Sequence, residues 1–309
     1  LNCKGFTLIE IAIVLIIIGI LLAGGIPIFR ATVEQKKRNE TIAYIEEAKE
    51  AIISYVKIYG RFPYADSNGD GKEDIGSHSG NLPYVTLRIK PVDSYSRHLK
   101  YEVNRSLTKD RFNTCRSIKN GISGYPKVVD SDAGKDAFSV AAVILSAGKM
   151  DADRDGSPFD KLQKDGFQGD NTDGRPNYIR YPPTDDFDDI LRYISPYEIY
   201  GEICEFVSLA VNNSSALPVY VFNATEMTDL GKVPPKSNRL YEVLSGTKIE
   251  IRNKSHGGGK IVNSDPMTPI IISGRGLTIN ISSSSQKSLS GYKVEKELRL
   301  LPIRRLRLR

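Results

Sequence analysis

The stretch Lys4-Gly5-Phe6-Thr7-Leu8-Ile9-Glu10 runs directly into an apolar segment that continues to Phe29, and its reading decides the fold. Between Glu10 and Arg30 there is no ionisable residue, and Val, Leu and Ile dominate. As a helix this run spans roughly 28 Å, close to the hydrocarbon thickness of a bilayer. A secretory signal peptide is the alternative, but its apolar core runs only about 7–15 residues before a small-residue cleavage site. Ala23-Gly24-Gly25 could pass for such a site. A buried core helix fits less well, because no polar face interrupts the run. A membrane-spanning helix leaves Glu10 as a carboxylate near its start. At the centre of such a helix a charge costs about 2.5 kcal/mol or more. Either Glu10 snorkels to the headgroups or it has a partner, and another copy of the same helix would supply one.

Gly5-Phe6-Thr7-Leu8-Ile9-Glu10 resembles the processing motif of type IV pilins and type II secretion pseudopilins. The resemblance implies that prepilin peptidase cuts after Gly5 and that the new amino terminus at Phe6 is N-methylated. Glu10 then becomes the assembly glutamate, and Pro27 matches the helix-breaking proline of those proteins. In a bundle of identical helices the Glu10 carboxylate would accept hydrogen bonds from the Phe6 ammonium of a neighbour, offsetting desolvation and fixing axial register. The expected partners are prepilin peptidase, an inner-membrane assembly platform, and copies of the chain and related pilins in a helical filament. The expected location is the inner membrane as a single pass with an extracytoplasmic head, then a periplasmic or cell-surface filament. Charge alone points the other way. Lys4 precedes the span while Arg30, Lys36, Lys37 and Arg38 follow it, and the positive-inside rule would keep those four in the cytoplasm.

Past the span, Ile42, Ile45, Ala48, Ile52, Tyr55, Val56 and Tyr59 recur at three- and four-residue steps, with charged residues between them. That is an amphipathic helix with one apolar stripe, ended by Gly60 and Pro63. The fold class is therefore α+β. A long N-terminal transmembrane and amphipathic helix packs on an antiparallel β-sheet head, with an additional β-rich C-terminal lobe. The expected divisions are a leader at 1–5, the assembly helix at 6–59, a head with an acidic loop at 60–195, and the β-rich lobe with a basic tail at 196–309. In the head, residues 84–89 and 98–103 read as short strands, and 137–146 (AFSVAAVILS) as a central buried strand. In the lobe, strands are expected at 204–211, 218–222, 240–244, 248–252, 269–273 and 277–282, in antiparallel order.

Two acidic turns carry the candidate chemistry. Asp151-Ala152-Asp153-Arg154-Asp155-Gly156 places carboxylates at alternate positions before a glycine, and Asp66-Ser67-Asn68-Gly69-Asp70-Gly71 repeats the pattern with an asparagine in the middle. Hard cations take about six to eight oxygens, and alternate residues of a tight turn can aim theirs inward. Neither turn has the glutamate of an EF-hand, and a solvated Asp-Gly turn is the plainer reading of each. Residues 143–148, a loop, and then Asp188-Asp189-Ile190 resemble the calcium loop of the major pseudopilins. The resemblance implies Ca2+ bound by the Leu145 carbonyl, Ser146, Asp151, Asp188 and Asp189. The intervening loop is longer than in those proteins, which leaves Asp153, Asp155, Asp170 and Asp173 as alternatives for the middle ligand.

Cleavage after Gly5 removes Cys3 and leaves Cys115 and Cys204 as an even pair. In an oxidising compartment they would form one disulfide worth about 4–5 kcal/mol in the chain-entropy model; two buried thiols are the alternative. His78, His98 and His256 have no Cys or His companion at metal-ligand spacing, and no nucleophile motif occurs, so the chain is read as no enzyme. The net charge of +6 is concentrated at the end, where Lys293, Lys296, Arg299, Arg304, Arg305, Arg307 and Arg309 face only Glu295 and Glu297. Such a tail can bind nucleic acid through phosphates, though a solvated, frayed end is the commoner outcome. The function expected is a structural subunit of a type IV pilus or a type II secretion pseudopilus. The alternative is a minor pilin whose C-terminal lobe acts as an adhesin or binds DNA or glycan.

Overall fold

A computed structural model describes residues 8–149, 151–255, 259, 261–262, 270–272, 276–283 and 292–297. Within these, residues 20–28, 283, 292–293 and 296–297 are described by backbone alone. Gly5, Phe6, Cys3, Lys4, His256 and the basic residues from Arg299 onward lie outside the described residues. The chain divides into two compact units, Leu1–Pro196 and Tyr197–Arg309.

The first unit begins with α1, Leu8–Tyr59, one helix of 52 residues. It passes through Gly24, Gly25 and Pro27 without a break, which corrects the expectation of a helix-breaking proline there. A proline forfeits one hydrogen bond of the ladder, and the bonds on either side carry the helix through. Gly60 ends it, at φ +71 with its N–H on Val56 O at 2.7 Å. Any Cβ at position 60 would lie 2.5 Å from Arg111 Cβ, so only glycine fits this stop. Thr41, Tyr44, Ile45, Ala48, Ile52, Tyr55 and Val56 are buried, whereas Tyr59 is 60% exposed. The stripe is thus turned slightly from the expected one, toward Thr41 and Tyr44. At the other end Leu8 to Ile18 are exposed, between 45% and 88% for the large apolar residues. Among the described residues no helix is long and apolar enough to cross a membrane.

After α1 come β1 (Ser79–Asn81), α2 (Tyr84–Leu87), β2 (Lys100–Val103), α3 (Arg111–Lys119), β3 (Lys127–Asp130), β4 (Gly134–Ser139), β5 (Ala142–Ser146), β6 (Lys161–Lys164), β7 (Phe167–Asp170), β8 (Tyr178–Arg180) and β9 (Ile190–Ile194). The principal sheet has the order β1-β2-β5-β9, with every pair antiparallel. β5 is its buried inner strand, and α1 contacts β5 and β9. In place of the strand expected at 84–89, residues 84–87 form α2 and Arg88 caps it in the left-handed region, because Gly71 O accepts the N–H groups of Val85 and Thr86 at the helix start. The apolar run 137–146 is two strands. The chain leaves the sheet β4-β3-β8 at Val140, whose N–H bonds Pro126 O, and joins the principal sheet at Ala141, whose N–H bonds Ile194 O. Within the acidic segment β6 and β7 form a hairpin. It turns at Asp165-Gly166, at φ 55 and 82, the positive φ that a two-residue hairpin needs.

The second unit holds α4 (Pro196–Ile203), β10 (Phe206–Asn213), β11 (Val219–Asn223), β12 (Thr228–Val233), β13 (Ser237–Leu244), β14 (Lys248–Arg252), β15 (Ile270–Ile271), β16 (Leu277–Ser283) and β17 (Tyr292–Glu297). They form two sheets, β13-β10-β16-β17 and β12-β11-β14-β15. Alternate residues of β10 are buried and join one apolar core with Val221, Ile251 and Ile279. One pair departs from the expected antiparallel order, since β10 and β16 run parallel.

Glu73 locks the end of α1 to the chain that follows. Its carboxylate accepts from Tyr55 Oη at 2.7 Å, Arg61 Nη1 and Nη2 at 2.8 and 2.9 Å, and Tyr64 N at 3.0 Å. Burial alone would raise its pKa, but the bonds from Arg61, Tyr55 and Tyr64 hold it below the usual 4.5. A depressed folded pKa contributes stability above the unfolded value that is lost as pH falls through the folded one. Glu73→Gln should therefore cost about 1–3 kcal/mol at neutral pH. In thermal melts, the gap between variant and wild type should close as the pH falls below 4.5.

Candidate metal centre

The loop that follows β5 turns at Gly148, φ +59, where a Cβ would sit 2.4 Å from Asp188 Oδ1 and 2.6 Å from Asp188 O. This close approach presses the strand end against Asp188-Asp189, and Lys149 N donates to Asp188 Oδ2 at 3.0 Å. Asp160 completes the knot. Its Oδ1 accepts Ala152 N at 2.8 Å, its Oδ2 accepts Asp188 N at 2.8 Å, and its own N–H donates to Asp189 Oδ2 at 3.0 Å. Asn171 Nδ2 donates to that same Asp189 oxygen at 2.9 Å, while the Asn171 amide also pairs with the backbone of Ile179.

Asp160 and Asp189 are 0% and 2% exposed. Asp189 Oδ1 is buried without a hydrogen-bond partner among the described residues. Burial first, then the charges of Asp160 and Asp188, pushes Asp189 well above the ordinary carboxylate range. Ligand oxygens of Asp160, Asp188 and Asp189 lie within 4.8 Å of one another, and so do those of Asp151, Asp153 and Asp160. The nearby cation is Lys100, whose ammonium donates to the carbonyls of Asn171 and Thr172 and is itself lowered in pKa by burial. Converging carboxylates with an orphaned buried oxygen fit a hard divalent cation, because a buried polar atom without a partner is costly.

The expected ligands fall unevenly around this knot. Asp188 and Asp189 are together, and Asp151 belongs to the group that shares Asp160. Leu145 lies inside the ladder, opposite Lys100 and Leu191. The Ser146 hydroxyl donates to Asp93 Oδ2 at 2.6 Å and accepts Gly148 N at 3.2 Å. Asp153 is in the second group; Asp155, Asp170 and Asp173 are in neither. The missing residue is Asp160, and Phe159-Asp160-Lys161 carries no spacing signal because the Asp188-Asp189 pair it joins comes 28 and 29 residues later. In the earlier acidic turn, Asp66 accepts the N–H groups of Asn68, Gly69 and Gly71. Among the described residues that turn forms no group of three metal-ligating side chains.

The knot also reaches α1, for Arg38 Nη1 donates to Asp188 O at 2.8 Å. Glu34 accepts from Tyr95 Oη at 2.8 Å and pairs with Lys149 at 3.6 Å. Glu10 lies exposed in the first turn of α1, and Pro27 is within the same helix. Cys115, on α3, and Cys204, after α4, are buried and disulfide-bonded.

Residues 1–26 match the prokaryotic N-terminal methylation motif, the signature of type IV pilins and pseudopilins. No curated protein matches the chain at a significant level. Among solved structures, the C-terminal domain of AlgF from P. aeruginosa is similar over 31% of this chain and 99% of its own, with 18% identity and a TM-score of 0.24. A likeness at that score assigns neither fold nor function.

Asp189 binds its proton more tightly folded than unfolded, so its ionisation penalises the folded state. That penalty grows as pH rises from the ordinary 3.8 through the folded value. In chelator at neutral pH, Asp189→Asn should raise the melting temperature, because the neutral amide removes the buried charge. The difference should vanish in melts below pH 3.8, where both side chains are neutral.

Proposed function

We propose that the chain is a prepilin-type filament subunit of a type IV pilus or a type II secretion pseudopilus, stored in the inner membrane and polymerised through α1. The observation that carries this reading is the methylation motif of residues 1–26, continuous with a 52-residue helix whose first turns expose their apolar side chains. Prepilin peptidase cuts after Gly5, and Phe6 becomes the methylated amino terminus. Glu10 accepts the Phe6 ammonium of a neighbouring subunit, which sets register in the filament. The N-terminal half of the helix lies in membrane and then in filament core, and the remainder of the chain faces outward. The role is structural, and no catalytic step is assigned. An oxidising compartment accords with the disulfide-bonded state of Cys115 and Cys204.

Ca2+ is proposed as the resident cation of the head. Asp160, Asp188 and Asp189 would hold it, with Asp151 and Asp153 adjoining through the shared Asp160. Its charge would relieve the repulsion among these carboxylates and engage the orphaned Asp189 oxygen.

Two experiments test these parts separately. Glu10→Ala is expected to insert and to be cleaved, yet to leave almost no filament in sheared-fibre preparations. Wild-type filament yield from that variant would reject the pairing. For the cation, saturating Ca2+ should raise the melting temperature over chelator, since ligand at about 100 times its Kd adds roughly 2.7 kcal/mol. Asp160→Asn should abolish most of that rise. An unchanged melting temperature in wild type would remove calcium from the account and leave the filament reading standing.

A further inference from the structure

The geometry points to a second ligand site in the first unit, at the ends of β1 and β2, that takes an acidic saccharide. The cavity there has a volume of about 570 Å³, within the roughly 300–1,000 Å³ usual for small-molecule sites. It shares no residue with the carboxylate groups of the acidic loop.

Its chemistry is set by one buried carboxylate and two guanidinium groups. Glu102, on β2, is only 7% exposed. Tyr178 Oη donates to Glu102 Oε2 at 2.6 Å. Oε1 has no hydrogen-bond partner among the described residues and is not sealed from solvent, so it opens into the cavity that Glu102 lines. Arg105 stands at the rim, exposed, and its guanidinium makes no hydrogen bond or ion pair among the described residues. The guanidinium carbon of Arg175 stands over the Tyr125 ring, 3.7 Å from its centroid, a cation–π contact that holds this side chain at the cavity. His78 adds no charge at neutral pH, because burial and then Arg105 hold it below its usual 6.5.

The balance is therefore two cations against one carboxylate. Val103 is the only aliphatic residue of the lining beyond alanine size, and Arg175 already covers one face of Tyr125, so an apolar ligand gains little. Serine hydroxyls and the Glu102 oxygen match the hydroxyls of a sugar. The two arginines match a carboxylate, for which planar guanidinium donors are the natural partners. A zwitterionic amino acid could pair its ammonium with Glu102 and its carboxylate with an arginine, but it would leave most of the 570 Å³ unfilled. An acidic sugar of one or two rings uses both the charges and the space. The site is independent of the filament reading.

The test uses the full chain in detergent, with titration calorimetry against galacturonic acid and digalacturonate, and with galactose and glycine as controls. Saturable binding of the uronates in the millimolar range or tighter is expected, at least about tenfold tighter than galactose. Arg105→Ala should weaken uronate binding by about tenfold or more with no change in melting temperature, since its side chain is exposed and unpartnered. The proposal is overturned if the folded wild type shows no saturable uronate binding, if galactose binds equally well, if glycine binds more tightly, or if Arg105→Ala binds as wild type does.

Discussion

The acidic segment between β5 and β9 is held by carboxylates that cap backbone N–H groups far away in sequence. Asp160 takes Ala152 N with one oxygen and Asp188 N with the other, while its own N–H goes to Asp189. Those bonds tie the two ends of the connection together, and between them the β6–β7 hairpin and the pairing of β8 with β3 hold the rest. The arrangement has an electrostatic cost, since three carboxylates converge where two are almost fully buried. A neutral network would satisfy the same N–H groups with less repulsion. That the chain uses acids is the physical reason to look for a cation at this place.

The same knot explains why Gly148 and Asn171 matter. Gly148 lets the end of β5 come within contact of Asp188, which brings the strand end to the carboxylates. Asn171 spends its amide on the backbone of Ile179 and on Asp189, joining the segment after β7 to β8 and to the knot. Lys100 supplies a half-buried positive charge nearby but commits its ammonium to two carbonyls. It moderates the field without pairing directly with the acids.

How much of this was legible in the sequence varied with how local the cause is. α1 was readable because its stripe repeats every three or four residues and Gly60 stops it. Its rotation differs from the pattern, since Tyr44 and Thr41 are buried where Ile42 and Tyr59 are expected, and so does its unbroken passage through Pro27. β5 was readable from its apolar run, but the passage between two sheets at Val140-Ala141 was not, because the run is apolar in sequence on both sides of it although β4 is exposed to half-buried and β5 is buried. α2 escaped because Gly71, distant in sequence, caps it. Asp165-Gly166 did announce a hairpin, yet the surrounding charge made the whole segment read as loop. β12 hides behind its charged residues and Gly231, and a register shift between Val221 and Phe222 accommodates it against β11. Asp188 and Asp189 announced themselves as a pair, whereas Asp160 is an isolated acid whose role exists only once the chain has folded back on it.

Magnitudes decide what holds the C-terminal half of α1. Its polar ties to the rest of the first unit are partly exposed. Lys149 to Glu34 at 3.6 Å and Arg192 to Glu46 at 2.5 Å are examples, and such pairs contribute about 0–1 kcal/mol each. Buried Ile45, Ile52 and Val56, each at 0% exposure, contribute about 1.5–3 kcal/mol apiece before entropy. Apolar burial therefore anchors the helix, and the polar ties fix its rotation and axial position. The same arithmetic applied to the first turns has the opposite sign. Ile11, Ile13, Val14, Leu15, Ile16 and Ile17 are all at least half exposed in the single chain, so burial stabilisation of comparable size per residue stays unrealised there. Apolar surroundings such as lipid or the same face of other helices would supply it under the proposed filament reading. The proposed filament reading accounts for a helix that is satisfied along one half and unsatisfied along the other, because neighbouring copies would complete it.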